Sequence, residues 1–240
     1  MIASSQNLTR IRFGWGLVGL THLLEVSDVI VIVDVLSFST CVDIAVSRGG
    51  AVYPFAGRGE TAAAYARSIG ALLIEMHPQD HAFTFSPTSL LGMPRGTPIV
   101  LPSPNGSTLS MATGPTPTLT GCLRNAAAVA LAAQQLGGRI SVIAAGEKWP
   151  DGSLRPALED LLGAGAILSG LQGDLSGDAR AAIAAYEECR PCLYERIRDC
   201  PSGQELIEKG RSADVRLSSE LNHSENQPFM SDGAYLHHLT

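Results

Sequence analysis

Aromatic residues are scarce, at 5% of the 240-residue chain, and charged residues make up only 17%. Lys and Arg together (17) are outnumbered by Asp and Glu (23), for a net charge of −6. No basic run or aromatic-basic interleaving occurs, which argues against a nucleic-acid partner. The excess of acid is modest and reads as ordinary solubility. An anionic substrate would therefore need local positive charge or a divalent metal. No apolar run reaches the roughly 20 residues that span a bilayer, so no membrane partner is expected. The first residues, MIASSQNLTR, hold no apolar signal core. A cytoplasmic protein is the expectation.

Metal-binding patterns of the soft kind are missing as well. The five cysteines are odd in number, which fits a reducing compartment. Cys189 and Cys192 have C-x-x-C spacing, but no second pair and no nearby His accompany them. They read as a helix end broken by Pro191 rather than as a zinc or redox pair. His77 and His81 are four residues apart with Pro78 between them, and His223, His237 and His238 lie in a polar tail. No Gly-Lys-Ser/Thr follows a glycine-rich turn, so there is no Walker A loop.

What is present is an ample supply of apolar residues, 45% of the chain. That is enough for a packed α/β core over 1–240, with any sub-boundary falling near 172–178. VIVIVDV (residues 28–35 with its flanks) reads as a buried strand, because it is β-branched and nearly continuous. A helix over 37–48, a strand AVYPF, a helix over 59–70 and a strand ALLIE follow. This β-α-β-α-β order predicts a layered α/β/α fold with a largely parallel or mixed sheet and helices on both faces. Residues 76–97 read as a long loop. PIVLPS is the next strand, 105–112 a short helix and 114–121 at most a short strand. A helix over 123–136, the strand RISVIAAG and a helix over 156–171 complete the pattern. The C-terminal part reads as short helices over 179–188, 193–198 and 202–209, then an irregular tail packed across the sheet.

Four of these strands end on polar clusters. In open α/β sheets, ligands bind just beyond the carboxyl ends of the strands. Asp34 ends the most buried strand, where a carboxylate is costly unless a cation or hydrogen bonds satisfy it. It reads as a hard-cation ligand or general base, or else as a cap on the next helix. Ser37, Ser39 and Thr40 open that helix and serve either as phosphate donors or as ordinary caps. Glu75 ends the ALLIE strand. Asn105, Gly106 and Ser107 form a turn able to cradle an anion through backbone amides. Gly146, Glu147 and Lys148 follow RISVIAA. Glu159 and Asp160 open a helix, as acids commonly do. Asp34, Glu75 and one of the latter pair would suit Mg2+, which takes one or two carboxylates, waters and phosphate oxygens. Arg124, Lys148 and Arg155 are the nearest cations.

The strings VIVDVLSFST, SPNGS, GCLRNAAAVA, AAGE, LEDLLGAG and SGQELIEKGRSADVRLSSELNHS occur in this order over about residues 26–235. Together they resemble the ComB family of 2-phosphosulfolactate phosphatases. The resemblance implies Mg2+-dependent hydrolysis of 2-phospho-3-sulfolactate to 3-sulfolactate and phosphate, a step of coenzyme M biosynthesis, by a cytoplasmic enzyme. It places the family's acids on Asp34, Glu75, Glu159 and Asp160, its Asn-Gly turn on Asn105 and Gly106, and its Gly-x-x-x-Asn on Gly121 and Asn125. Two departures stand out. Ser37 occupies the position where many members carry arginine, and Met76 stands where an arginine is usual after Glu75. An arginine there would clamp sulfonate, carboxylate or phosphate. A phosphomonoesterase for another small acid, or a non-catalytic anion-binding protein on the same fold, are the alternatives. An aspartyl-phosphate mechanism of the haloacid dehalogenase kind is not expected, since no Asp-x-Asp starts at Asp34. A homodimer is compatible with the sequence.

Overall fold

The computed structural model describes residues 9–75 and 83–237. Met76, His77, Pro78 and His81 in the expected loop, His238, and the start of the chain lie outside the described residues. The chain runs through β1 (Ile11–Trp15), α1 (Gly16–Leu24), β2 (Val29–Val33) and α2 (Phe38–Ser47). β3 (Val52–Phe55), α3 (Glu60–Ile69), β4 (Leu72–Leu73) and one helical turn, α4 (Pro87–Leu90), follow. Next come β5 (Ile99–Pro102), α5 (Gly106–Ala112), β6 (Thr118–Gly121), α6 (Ala126–Leu136) and β7 (Ile140–Ala144). A small ribbon, β8 (Glu147–Lys148) with β9 (Leu154–Arg155), precedes α7 (Leu158–Ser169) and α8 (Gly177–Cys189). The chain closes with α9 (Leu193–Asp199), α10 (Pro201–Glu208), α11 (Ser212–Ser218), β10 (Pro228–Ser231) and β11 (Ala234–His237).

The main sheet has nine strands in the order β1-β7-β2-β6-β10-β11-β3-β5-β4. β1, β7, β2 and β6 pair in parallel, and so do β3, β5 and β4. The two parallel halves are joined by the antiparallel hairpin β10–β11. Among the described residues, that hairpin pairs with β6 at Phe229–Leu119 and with β3 at Tyr235–Val52. Asp232 and Gly233 both have positive φ (51° and 80°), the signature of a tight hairpin turn whose twist suits the strands.

β2 shows why the layers form. Its five residues are all buried, and they alternate between faces. Val29, Val31 and Val33 pack with Val129 of α6, Leu162 of α7 and Ala182 of α8. Ile30 and Ile32 pack on the other face with Leu20 and Leu23 of α1 and Leu109 of α5. Each such side chain contributes about 1.5–3 kcal/mol on burial. α2 is buried along Phe38–Val46, because Phe38, Cys41 and Val42 pack with Val52, Ile99 and Leu101 of the other half-sheet. The expected α/β/α layering with helices on both faces is thus the observed one.

Several expectations change in detail. β1 had no counterpart in the sequence reading; it is a short edge strand in register with β7. The tail, expected to be irregular, supplies α11 and the two strands that close the sheet. The residues that achieve this include expected site residues. Asp43 on α2 is fully buried and accepts hydrogen bonds from Arg124 Nε (3.0 Å), Ser224 Oγ and Asn226 Nδ2 (3.2 Å). Arg124 also pairs with Glu220. Asn125 accepts from the Cys122 backbone N–H at 2.9 Å and donates to the Asn226 carbonyl at 3.2 Å. Among the described residues, no helix is long and apolar enough to cross a membrane. Cys189 and Cys192 flank the turn after α8, as free thiols. Replacing Arg124 with Met strands the buried Asp43 carboxylate, so urea unfolding should show a loss of about 3–5 kcal/mol; a loss under 1 kcal/mol contradicts the clamp.

Candidate active site

Asp34 sits one residue past β2, where three separate segments meet. Its Oδ2 accepts the Gly106 N–H at 2.8 Å and its Oδ1 accepts the Phe38 N–H at 3.3 Å. Ser103 Oγ lies at 3.5 Å from Oδ2 and itself accepts the Gly106 N–H at 3.1 Å. The first N–H groups of α2 and α5, from opposite half-sheets, are therefore aimed at one carboxylate, as helix dipoles favour. Gly106 has no room for a side chain: a Cβ there would lie 2.2 Å from the Phe38 ring and 2.8 Å from Asp34 Oδ2.

Asp160, on the first turn of α7, lies behind Asp34. Its Oδ1 accepts the Val35 N–H (2.7 Å) and its Oδ2 the Gly146 N–H (2.8 Å). Gly146 adopts φ +67°, a conformation that glycine takes without strain. Glu147 is half-buried and accepts from Asn105 Nδ2 at 3.0 Å. Adjacent residues, Asn105 and Gly106, thus hold the carboxylates of Glu147 and Asp34. Glu159 is buried and receives the Cys200 thiol at 3.2 Å, a contact that no sequence signal announced.

The electrostatics follow from this crowding. Burial, then the charge of Glu147, push the Asp34 carboxyl up to about 7, against the opposing pull of the Gly106 and Phe38 N–H groups. Burial, then Asp34 and Glu159, raise Asp160 well above the ordinary carboxylate range. Burial also raises Glu147, against the Asn105 hydrogen bond. Among the described residues no cation pairs with Asp34 or Asp160. Arg124 is spent on Asp43 and Glu220. Lys148 is exposed on β8, and Arg155 on β9 lies over the Trp149 ring and donates to Ser202 Oγ.

The expected phosphate donors divide sharply. Ser39 Oγ accepts the Asp34 N–H and bonds with Thr120, and Thr40 Oγ1 donates to the Val35 carbonyl. Ser107 Oγ donates to the Leu101 carbonyl. These three hydroxyls, with Asn125, are committed to the fold. Ser37 does not cap α2 with its side chain, and its hydroxyl makes no hydrogen bond among the described residues. Glu75 follows β4, forms a β-bridge with Thr84 and lines a cavity of about 320 Å3 with Arg58, Ile74 and Pro102. β5 separates it from the main cluster, since Pro102 lines that cavity while Ser103 reaches Asp34. The structure thus gathers Asp34, Glu147, Glu159 and Asp160, and sets Glu75 in the neighbouring cavity.

Buried carboxylates collected at the strand ends of a layered sheet, with free polar groups beside them, mark an enzyme site. Comparison with known proteins narrows the class. The family model for 2-phosphosulpholactate phosphatase matches residues 18–233. The 2-phosphosulfolactate phosphatase of Methanothermobacter thermautotrophicus is 31% identical over 211 residues, spanning 87% of this chain and 89% of its own length. The chain belongs to the 2-phosphosulfolactate phosphatase family, whose members are hydrolases of phosphoric monoesters.

Gly106→Ala should separate Asp34 from α5, because Phe38 and the carboxylate must both move. A stability loss of about 1–3 kcal/mol by denaturant titration is expected; wild-type stability contradicts the close approach. A pH effect also follows. A carboxyl whose folded-state pKa is raised stabilises the protein below its unfolded value, and that contribution is lost as pH rises through the folded one. For Asp34, metal-free protein should lose stability from about pH 4 to about pH 7, by up to about 1.4 kcal/mol per unit, and level off above that. A profile that is flat or rising over that window contradicts the acid cluster.

Proposed function

We propose that this chain is a Mg2+-dependent phosphatase that hydrolyses 2-phospho-3-sulfolactate to 3-sulfolactate and phosphate. Family membership and the named activity of the Methanothermobacter relative support the substrate. Within the molecule, the reading is carried by the cluster of Asp34, Glu147, Glu159 and Asp160, in which Arg155 faces Glu147 across the β8–β9 ribbon but, among the described residues, no cation pairs with Asp34 or Asp160. Mutually repelling buried acids remain ionised at neutral pH only beside a positive charge.

The donor set fits Mg2+. It is all oxygen, although among the described residues no group of three or more Asp, Glu, His or Cys is placed to hold a metal ion by itself. Mg2+ seldom uses a cage made wholly of protein; one or two carboxylates and the substrate's phosphate oxygens suffice. Asp34 and Glu147, held by adjacent residues, would be its ligands. Asp160, whose two oxygens accept backbone N–H groups as those of Asp34 do, fixes the turns at Val35 and Gly146. When bound, the ion neutralises phosphoryl charge and lowers the pKa of a bound water.

The chain's own residues position the phosphoryl group. Phosphoryl transfer has a loose, anionic transition state, so orientation and charge stabilisation supply most of the rate. Ser37 Oγ, free of any duty in the fold, donates to a phosphate oxygen. Asn105 holds Glu147 in place beside Asp34. Glu159, steadied by the Cys200 thiol, adds negative charge behind the pair and strengthens the site's hold on a cation.

Asp34→Asn should abolish Mg2+-dependent phosphate release from 2-phospho-3-sulfolactate, by at least about 100-fold in kcat/KM. Circular dichroism should show the wild-type fold. Near wild-type turnover by this variant, or wild-type turnover in EDTA, removes the metal-site reading.

A further inference from the structure

The free cysteines fall into two groups. Cys41, Cys122 and Cys200 are buried. Burial pushes the Cys41 thiol well up, and those of Cys122 and Cys200 up to about 12. Thiols in such surroundings stay protonated and inert. Cys200 also has a duty in the fold, since its sulfur accepts the Gly203 N–H at the start of α10. Cys189 and Cys192 differ, because both are partly exposed. Cys192 precedes α9 but makes no capping hydrogen bond with its side chain.

The chain brings these two sulfurs together. α8 ends at Cys189, and one 3-10 turn over Arg190–Cys192 leads directly into α9. Residues three apart in a 3-10 turn eclipse one another, so the two side chains share a face. Arg196 on α9 lies four residues after Cys192, where helical spacing makes neighbours. Its guanidinium is held more firmly in the charged form, first by a hydrogen bond to the Cys192 side chain, then by the charges of Cys192 and Cys189. Glu188 acts on it last. One cation thus serves both sulfurs. That positive charge opposes a soft metal ion, and among the described residues no group of three His, Cys, Asp or Glu is placed to hold one. A structural staple gains most by closing a long loop, whereas this pair spans only Arg190 and Pro191. A cation beside an accessible sulfur favours the thiolate, and a thiolate with a second thiol at hand is equipped for disulfide exchange.

We propose that Cys189 and Cys192 form a second reactive site, a dithiol beside Arg196 that reduces small-molecule disulfides by exchange. The Cys192 thiolate attacks one sulfur of the disulfide. That S–S bond breaks, and one half leaves as a thiol carrying the proton that Cys192 gave up. Cys189 then attacks the Cys192 sulfur of the mixed disulfide. The second half leaves as a thiol with the Cys189 proton, and the Cys189–Cys192 bond closes. Two electrons and two protons pass from the pair to the small disulfide. The exchange needs neither Asp34 nor a metal ion.

The test incubates the full, reduced chain with oxidised glutathione and maps its thiols by peptide mass spectrometry. The peptide carrying Cys189 and Cys192 should lose two hydrogens and retain no glutathione. Cys41, Cys122 and Cys200 should remain thiols. Cys189→Ser should stop at glutathione held on Cys192. Arg196→Gln alters an exposed position, so the variant should fold, and exchange at neutral pH should slow about threefold or more. Arg196→Lys should restore most of the rate, which the loss of a merely structural contact would not allow. Wild-type chain that keeps both thiols, or holds glutathione on them without closing the bridge, overturns the proposal. So does an unchanged rate in Arg196→Gln.

Discussion

The structure depends on one buried carboxylate shared by two helix starts. Asp34 receives the Phe38 N–H from α2 and the Gly106 N–H from α5. α2 follows β2 in one half-sheet, and α5 follows β5 in the other. Between these halves the sheet itself offers little, since, among the described residues, the β10–β11 hairpin pairs with each neighbour at a single residue pair. The halves are bridged by that hairpin, by α2, by α5, whose Leu109 packs with Ile30 and Ile32 of β2, and by this carboxylate at the strand ends. Fold and site are thus the same object. Gly106 shows it most directly, because its missing side chain admits both the Phe38 ring and the Asp34 oxygen.

The competing terms at Asp34 do not cancel. Two N–H groups favour the charged form, yet burial and the charge of Glu147 outweigh them and hold the carboxyl near 7. A solvated carboxylate with a cationic partner falls the other way, below the ordinary range, as Asp28 does beside Arg139. Arg155 faces Glu147 across the ribbon, and other arginines are paired elsewhere. Arg124 is locked to Asp43, Arg139 to Asp28 and Arg211 to Asp214. Such pairs stabilise the tail, an edge and a helix start, and leave Asp34 and Asp160 to a proton or an external cation. That residual charge is what makes the site reactive rather than merely architectural.

The strand ends were legible because β2, β5 and β7 are β-branched or continuously apolar, and a polar residue after such a run has to lie at the sheet's edge. Glu147 and Asp160 fell at those edges as expected. The tail was not legible from periodicity, since PFMSDGAYLH alternates weakly. Its Asp232-Gly233 pair is nevertheless a hairpin signal, and giving it more weight would have located β10 and β11. The role of each hydroxyl was hidden for a different reason. Ser37, Ser39 and Thr40 are equivalent as letters at a helix start. Only three-dimensional neighbours, Thr120 across the sheet and the Val35 carbonyl, decide which of them the fold consumes. Cys200 is hidden in the same way, since its thiol reaches Glu159 across 41 residues of chain.

That division also separates the positions that the fold fixes from one that it leaves open. Residues with a hydrogen-bonding duty in the fold cannot be exchanged without a stranded partner, at about 1–3 kcal/mol for a buried polar group. Ser39, Thr40, Ser107, Asn125 and Arg124 all carry such a duty, and Arg124 and Asn125 help bind the tail to α2 and β6. Ser37 carries none. A substitution at that position unpairs nothing in the core. The change is therefore free to alter what the site binds while the fold stays intact.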